Sequence, residues 1–359
     1  MKSKRVTLKD IANTLNISLG TVHRAIYNKK GVGEDTRQKI LETAKSMGYE
    51  VNLVASALKR RSICIAVVLP EAKNDERYFY ESIWNGIDRA INELKDFNIE
   101  VIKVPFQGID YRNQIKVLQD VYEKYKDRLN GLLTVPWNDV ELDTVIDLFA
   151  NANIAVVTVN TDAPTSKRIT CVSPPSYQVG RLAGELMSDF VAGPGKVIIM
   201  GGKRETRIHH ETKEGFIHEI LKEVTGIEVI EIYDSYASGG LLYDGIKDFL
   251  TKFDDVKGIY SNNARNTVQV CQAVKDLNLK NKIKIIGSDI FEENTGFLKE
   301  GIMQAIIYQN PCNQSYIGFK TLFNYIVTTE RPPEHEYTEV SIVLKNNLQF
   351  YTELLSENK

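Results

Sequence analysis

The chain has 359 residues, 43% of them hydrophobic, and its 45 Lys and Arg nearly balance its 47 Asp and Glu. This length exceeds the usual size of one domain, so the composition indicates a soluble globular protein of two or three domains with a sizeable core. No stretch approaches 18 uncharged apolar residues and the N-terminus lacks an apolar signal core, which excludes membrane-spanning classes and predicts a cytoplasmic protein.

The basic charge is concentrated at the N-terminal end. Residues 1–61 contain 13 Lys or Arg against 5 Asp or Glu, a net charge of +8, which leaves −10 for residues 62–359. Neutralising DNA phosphates requires such a basic surface, whereas an acidic body repels nucleic acid. We therefore expect DNA contacts within residues 1–61 and none beyond them.

Two short helices are predicted at the start of this basic region. Thr7 and Asp10 have the spacing of a capping box, which predicts a helix over about 8–14. Ser18 can cap a second helix over about 19–26. A short helix, a tight turn and a second helix form the geometry that enters the major groove of DNA. The alternative, a small helical domain without DNA-binding function, shows capped helices as well.

The apolar residues of these helices are spaced to form one small core, which leaves a polar side exposed. A third helix over about 34–47 begins with acidic residues that suit the helix dipole, and Gly48 is its predicted C-cap. Residues 52–58 have helical periodicity but are too few to hold a helix alone in water. We expect this hinge to become ordered against a second copy and DNA, with the basic residues 59–61 either solvated or on phosphate.

Four segments resemble the head of the lactose-repressor (LacI/GalR) family: residues 6–12 (VTLKDIA), 17–25 (ISLGTVHRA), 36–40 (TRQKI) and 48–49 (GY). The resemblance implies that the second helix reads base edges and that Leu58 wedges into the minor groove. Gly20, His23 and Val51 depart from the residues usual in the family. The DNA contacts that it implies are Thr7, Ser18, Leu19, Gly20, Thr21, His23, Arg24, Asn28, Asn52, Ala55 and Leu58.

From residue 62 onwards, short β-branched runs alternate with amphipathic stretches, which predicts parallel, doubly wound sheets. Two such sets in tandem indicate two lobes with a cleft between them. Ligands bind outside the carboxyl ends of parallel strands, so the strand-to-helix loops should line this cleft. The predicted strands cover residues 63–69, 99–104, 132–135, 154–159, 196–200, 228–232, 258–261 and 284–287.

This region resembles the periplasmic sugar-binding-protein fold of the same family's effector domain. We therefore expect a helix-turn-helix head (1–50), a hinge and linker (51–61) and an effector-binding domain (62–359). In that fold the chain crosses between the lobes three times. The resemblance then implies one lobe of about 62–172 and 291–328 and another of about 173–290 and 329–359. No leucine heptads follow, so we expect a homodimer.

Candidate effector contacts follow the strands of the second set. By resemblance Asn262, Asp289 and Gln309 hydrogen-bond sugar hydroxyls, since a carboxylate accepts two hydroxyls and an amide both donates and accepts. Each has a structural alternative. Asp289 can instead serve as a helix N-cap, Asn262 as a turn former and Gln309 as a backbone partner at a crossing.

Further candidates come from loops. The family usually has an arginine where this chain has Thr212, and Arg204, Arg207, His209 or His210 of the same loop can supply a donor instead. Phe79, Trp137 and Phe291 follow strands and can stack on the apolar face of a sugar ring, although lid or core packing explains such aromatics equally well.

Catalytic motifs are absent from the sequence. Residues 210–214 (HETKE) have a zinc-like spacing, but no third ligand cluster accompanies them, and neither phosphate loops nor a nucleophile elbow occur. We expect neither an enzyme nor a bound cofactor or metal. The predicted function is an effector-controlled transcriptional regulator, most simply a repressor of pseudo-palindromic operators. The alternatives are a solute-binding protein, which has no use for a basic head, and a cytosolic sugar enzyme.

Overall fold

The computed structural model describes residues 6–26, 29–47, 49, 62–108, 110–137, 139–202, 206–233 and 241–351. Three helices form the N-terminal head: α1 (Leu8–Leu15), α2 (Leu19–Ile26) and α3 (Glu34–Ser46). Their apolar sides meet in a small core around Ile11, Val22 and Ile40, each fully buried. The three predicted head helices are confirmed. Gly48, the predicted C-cap, lies outside the described residues.

Behind the head, strands and helices alternate. The first series is β1 (Ile63–Pro70), a 3-10 turn (Asn74–Glu76), α4 (Arg77–Glu93), β2 (Ile99–Phe106), α5 (Tyr111–Tyr125), β3 (Gly131–Thr134), α6 (Asp139–Asn151), β4 (Ala155–Val159) and β5 (Thr170–Ser173). The second series is α7 (Ser176–Phe190), β6 (Gly195–Gly201), α8 (Arg207–Glu223), β7 (Ile227–Tyr233), α9 (Leu241–Lys252), β8 (Val256–Ser261), α10 (Ala264–Asp276), β9 (Lys284–Ser288), α11 (Glu292–Glu300) and β10 (Ala305–Tyr308). The chain continues through α12 (Pro311–Thr328), β11 (His335–Tyr337) and β12 (Ser341–Val343). None of the helices described here is long and apolar enough to cross a membrane.

Two six-stranded sheets organise these elements into two lobes. The first sheet has the order β11-β5-β4-β3-β1-β2 and the second the order β12-β10-β9-β8-β6-β7. Every pairing is parallel except that of β10 with β12. Helices cover both faces of each sheet, so all eight residues of β1 are buried. The two-lobed, doubly wound architecture is confirmed.

The chain crosses between the lobes three times, at 174–175, 309–310 and 338–340. We expected residues 291–308 in the first lobe, but β10 pairs with β9 and therefore lies in the second sheet. The return to the first lobe begins only with α12 and extends through β11, which pairs with β5. This lobe boundary lies later than predicted because it depends on the pairing of β10 with β9. The apolar sequence of β10 does not reveal its partner strand.

Closely packed helices in each lobe depend on glycine. A Cβ atom at Gly86 of α4 would lie 2.0 Å from the carbonyl oxygen of Cys312. In the second lobe, a Cβ atom at Gly180 of α7 would lie 1.9 Å from the carbonyl oxygen of Thr212 in α8. Real atoms do not approach so closely, so a side chain at these positions would push the helices apart. The four cysteines, Cys64, Cys171, Cys271 and Cys312, are buried and form no disulfide bonds.

Candidate functional site

The second helix of the head exposes the side on which DNA contacts were predicted. Val22 and Ala25 face the core of the head, which turns the opposite side of α2 to solvent. On that side Leu19 is 50% exposed although it is apolar. The neighbouring predicted contacts Gly20, His23 and Arg24 are exposed as well.

Hydroxyl groups fix the starts of both leading helices. The backbone N–H of Thr7 donates to the Asp10 carboxylate at 2.8 Å, and the N–H of Asp10 donates to the Thr7 hydroxyl at 3.3 Å. The Ser18 hydroxyl accepts from the backbone N–H of Thr21 at 3.1 Å. Both predicted caps are confirmed, and they satisfy backbone N–H groups at the starts of α1 and α2. The remaining predicted DNA contacts, Asn28, Asn52, Ala55 and Leu58, lie outside the described residues.

Between the two lobes lies a cleft that residues of both lobes line. Its lining comes from the carboxyl ends of strands in both sheets, where ligands of such folds bind. The first lobe contributes Asp75, Glu76, Phe79, Tyr80, Trp137 and Asn160. The second lobe contributes Ile208, His209, Asn262, Asn263, Ala264, Arg265, Asp289 and Gln309.

Asp289 places a carboxylate on the wall of the cleft. It follows β9 in a left-handed backbone conformation, with φ of 62°, and only 2% of its surface is exposed. Its carboxylate accepts hydrogen bonds from the backbone N–H of Gln309 at 3.3 Å and from the Gln309 side-chain amide at 3.4 Å. Burial raises the pKa of Asp289 to about 7, because these neutral donors offset only part of the lost hydration.

Asp289 and Asn262 do not cap the helices that follow them. The N-cap of α11 is Phe291, which has no side-chain cap, so the Asp289 carboxylate is not used there. At the start of α10, Asn263 is the cap and accepts from the N–H of Asn266 at 2.8 Å. Asn262 instead donates to the His209 carbonyl at 3.3 Å. The cleft-lining amides of Asn262 and Gln309 are thus held by contacts across loops.

Aromatic rings form part of the first lobe's wall. Trp137 is buried in the first lobe's core and lies 6.2 Å from the Tyr80 ring, while Phe79 contacts Tyr80 edge-on at 5.3 Å. Phe291 does not line the cleft. It stacks on Tyr78 across the two lobes, with ring centroids 4.5 Å apart. Of the three aromatic residues predicted to stack on a sugar, Phe79 and Trp137 line the cleft and Phe291 forms a contact between the lobes.

Arg207 and His210 lie apart from the main cleft. Arg207 pairs with Glu211 at 2.7 Å and lines a second cavity beside the crossings, and His210 is exposed. Its neighbour His209 lines the cleft instead. Arg204 lies outside the described residues. Asn160, which directly follows β4, also lines the cleft and was not predicted from the sequence. The rule that selected Trp137 after β3, a polar or aromatic residue at a strand's carboxyl end, would have found it.

One cluster has the residue types of a metal site in the part of the chain that is described. Side-chain ligand atoms of Asp162, Cys171 and His335 all lie within 4.8 Å of one another. Both oxygens of Asp162 are engaged by the Arg168 guanidinium, with Nη2 at 2.6 Å from one of them. Burial also raises the pKa of the Cys171 thiol to about 12. A guanidinium on the carboxylate and a neutral thiol do not fit a metal cation.

Comparisons with known proteins agree with this architecture. Residues 7–52 match the family model described as bacterial regulatory proteins, lacI family, and residues 65–330 match a periplasmic binding protein domain. The second match covers most of the chain. A probable HTH-type transcriptional repressor, ExuR of Bacillus subtilis, is 23% identical over 97% of this chain and 99% of its own length. Catabolite control protein A of Priestia megaterium is 24% identical over 79% and 82%.

A shorter match covers only part of a relative: the HTH-type regulator RegA of Clostridium saccharobutylicum is 32% identical over 34% of this chain and 35% of its own length. Among solved structures, GanP, a glucose-galactose binding protein of Geobacillus stearothermophilus, superposes with a TM-score of 0.72 at 26% identity, over 80% of this chain and 99% of GanP. The named relatives are transcriptional regulators, not enzymes. Over residues 65–330 the chain belongs to the periplasmic-binding-protein domain family, and its helix-turn-helix head matches the lacI family of bacterial regulatory proteins.

Proposed function

We propose that this protein is a transcriptional repressor in the cytoplasm whose DNA binding is controlled by a carbohydrate effector held between the two lobes. The observation that carries the effector assignment is the buried Asp289 carboxylate, which faces the cleft with only neutral amide donors from Gln309. Sugar hydroxyls supply the further donors that such a carboxylate can accept. GanP, with the same lobe architecture, is named for binding glucose and galactose.

In this proposal, polar groups of the second lobe bind hydroxyls and aromatic groups of the first lobe pack on the ring. Asp289 and the Asn262 carbonyl accept from hydroxyls, and Gln309 keeps the Asp289 carboxylate in place. Phe79 and Trp137 offer apolar faces to the sugar ring. Because the two sets come from opposite lobes, a bound sugar stabilises the arrangement in which the lobes are close together.

At the head, α2 enters the major groove and Arg24 contacts base edges there, while residues 52–58 form the hinge at the minor groove. Two copies bind as a homodimer, and the two-fold symmetry of the dimer requires a pseudo-palindromic operator. The effector changes operator affinity because it favours one arrangement of the lobes, with a coupling of about 1–3 kcal/mol in typical cases.

Two measurements test this function. Selection of bound sites from random duplex DNA should yield a two-fold symmetric, salt-sensitive site, and recovery of no preferred site contradicts the regulator assignment. A thermal-shift screen of sugars, polyols and their phosphates should raise the unfolding temperature with at least one sugar. Asp289→Ala should then abolish the shift and the effector's action on operator binding while leaving operator affinity intact. Asp254→Ala, an exposed aspartate of the same lobe, serves as control.

A further inference from the structure

The mouth of the cleft is spanned by charged side chains from both lobes. Asp75 and Glu76 belong to the 3-10 turn after β1, and Arg265 lies in the first turn of α10. The Nε atom of Arg265 is 3.6 Å from Asp75 Oδ2, and a terminal guanidinium nitrogen is 3.7 Å from Glu76 Oε1. All three residues line the cleft, and the Arg265 side chain is only 16% exposed. The charges of these two ion pairs therefore lie where a ligand in the cleft would experience them.

The charges along the described lining are predominantly negative. Two carboxylates, those of Asp75 and Glu76, flank the guanidinium of Arg265. Asp289 adds a further acidic group to the lining. A carboxylate or phosphate on a ligand would meet like charges and would have to compete with two resident acids for this guanidinium. An uncharged ligand is not repelled by these carboxylates and does not have to compete with them for the guanidinium.

Deeper in the cleft, the polar atoms without partners are uncharged. The indole Nε1 of Trp137 and the amide nitrogen of Asn263 are buried donors, and the amide oxygen of Asn262 is a buried acceptor. None of the three has a hydrogen-bond partner among the residues that the structure describes. Hydroxyl groups both donate and accept, so a polyhydroxy ligand can satisfy donors and acceptors of this kind together.

We infer that the cleft selects an uncharged polyhydroxy ligand over its carboxylated or phosphorylated forms, and that Asp75 and Glu76 set this selectivity by holding Arg265 across the mouth. The inference rests on the proposed function and narrows its ligand class. Asp75 and Glu76 are specificity-determining residues in this scheme. Their ion pairs with Arg265 keep its guanidinium from binding an anionic ligand.

Calorimetric titration of the full-length protein tests this inference with matched sets: glucose, glucuronate and glucose 6-phosphate, then galactose, galacturonate and galactose 6-phosphate. At one low ionic strength, the neutral member of the set that binds should have at least tenfold higher affinity than its anionic forms. In the double variant Asp75→Asn/Glu76→Gln this ratio should fall at least tenfold, because Arg265 becomes available to an anion. Adding Arg265→Gln to that variant should restore the ratio.

The outcomes separate the two proposals. Equal or tighter binding of an anionic form by the native protein overturns the charge selectivity and leaves a carbohydrate effector standing. An unchanged ratio in the double variant, with a native far-ultraviolet circular dichroism spectrum, overturns the role of Asp75 and Glu76. Absence of binding by all six compounds, together with no stabilising sugar in the thermal-shift screen, overturns the carbohydrate effector and the inference with it. A sugar found only in that screen replaces glucose and galactose in the same comparison of neutral and anionic forms. The double variant Asp248→Asn/Asp254→Asn removes two exposed carboxylates outside the cleft, so it is the charge-matched control and should keep the native ratio.

Discussion

Gln309 donates two hydrogen bonds to the Asp289 carboxylate, one from its backbone N–H at 3.3 Å and one from its side-chain amide at 3.4 Å. Gln309 is the residue at which the chain leaves the second lobe. The carboxylate that is proposed to bind the effector is therefore bonded directly to one of the three crossings. We therefore expect a change in the hydrogen bonding of Asp289 to act directly on this crossing.

The raised pKa of Asp289 predicts a pH dependence of stability in the protein without effector. The folded state keeps this proton up to a pH of about 7, whereas the ordinary pKa is 3.8. Between these values the folded protein binds more protons than the unfolded chain, so the free energy of unfolding contributed by Asp289 falls as pH rises from about 4 to about 7. This fall in the free energy of unfolding is on the order of 2–4 kcal/mol between pH 4 and pH 7. It should be absent in Asp289→Asn, which has no carboxyl group to titrate at this position.

Urea unfolding at pH 5 and pH 8 measures this difference. Native protein should lose more stability between the two pH values than Asp289→Asn does, and Asp254→Asn should behave like the native protein. Parallel losses in native protein and Asp289→Asn would show that the Asp289 carboxyl titrates in its ordinary range.

At the head, Arg24→Ala should reduce affinity for the selected operator by about 1–3 kcal/mol and relax the sequence preference, since a base-reading arginine discriminates between sequences. Lys39→Ala removes an equally exposed positive charge from α3 and should weaken specific and non-specific binding alike. Fluorescence anisotropy with operator and scrambled duplexes distinguishes the two effects. Equal modest losses in both variants would remove α2 from the base-reading surface.

The stack of Phe291 on Tyr78 joins the lobes at the mouth of the cleft, although Phe291 does not line the cleft. Phe291→Ala should lower effector affinity about two- to tenfold, the equivalent of 0.5–1.5 kcal/mol for an aromatic pair. Tyr78→Ala should have a similar effect, and the double variant little more than either single variant. Titration of the three variants with effector measures these affinities. If the loss in the double variant equals the sum of the two single losses, the two rings contribute to effector binding separately.

Two glycines in helices should respond to alanine in opposite directions. Gly180→Ala introduces a Cβ atom into the carbonyl oxygen of Thr212 and should lower the free energy of unfolding by about 1–3 kcal/mol. Gly245 in α9 is exposed, and a Cβ atom added there would meet no other atom within 4 Å, so Gly245→Ala should raise stability by about 0.5–1 kcal/mol. Urea titration measures both, and a neutral Gly180→Ala would contradict the tight packing of α7 on α8.

Most of the strands could be predicted, because burial on both faces of a sheet gives each strand an apolar run that is visible without knowing its partners. The predicted strand at 63–69 corresponds to Ile63–Pro70, and that at 284–287 to Lys284–Ser288. The start of α8 at Arg207 could not be predicted, because residues 207–213 are mostly polar and show little apolar periodicity. The three-residue strands β11 and β12 have too few residues to show a pattern.

The candidate site was predictable where strand ends supply polar residues, as at Asn262, Asp289 and Gln309. It was not predictable at the mouth, because Asp75, Glu76 and Arg265 face one another only after two separate sheets have formed and come together. The choice of His209 rather than His210 depends on how α8 is rotated about its axis, which weak periodicity leaves open.

The late return of the chain to the first lobe also determines the order of events during synthesis. Phe319, Leu322, Phe323 and Val327 of α12 complete the first lobe's core, and β11 completes its sheet. The ribosome releases these segments only after every strand of the second sheet except β12. A nascent chain therefore displays an unfinished apolar surface while the second lobe is being made, and its protection from aggregation in that interval falls to chaperones.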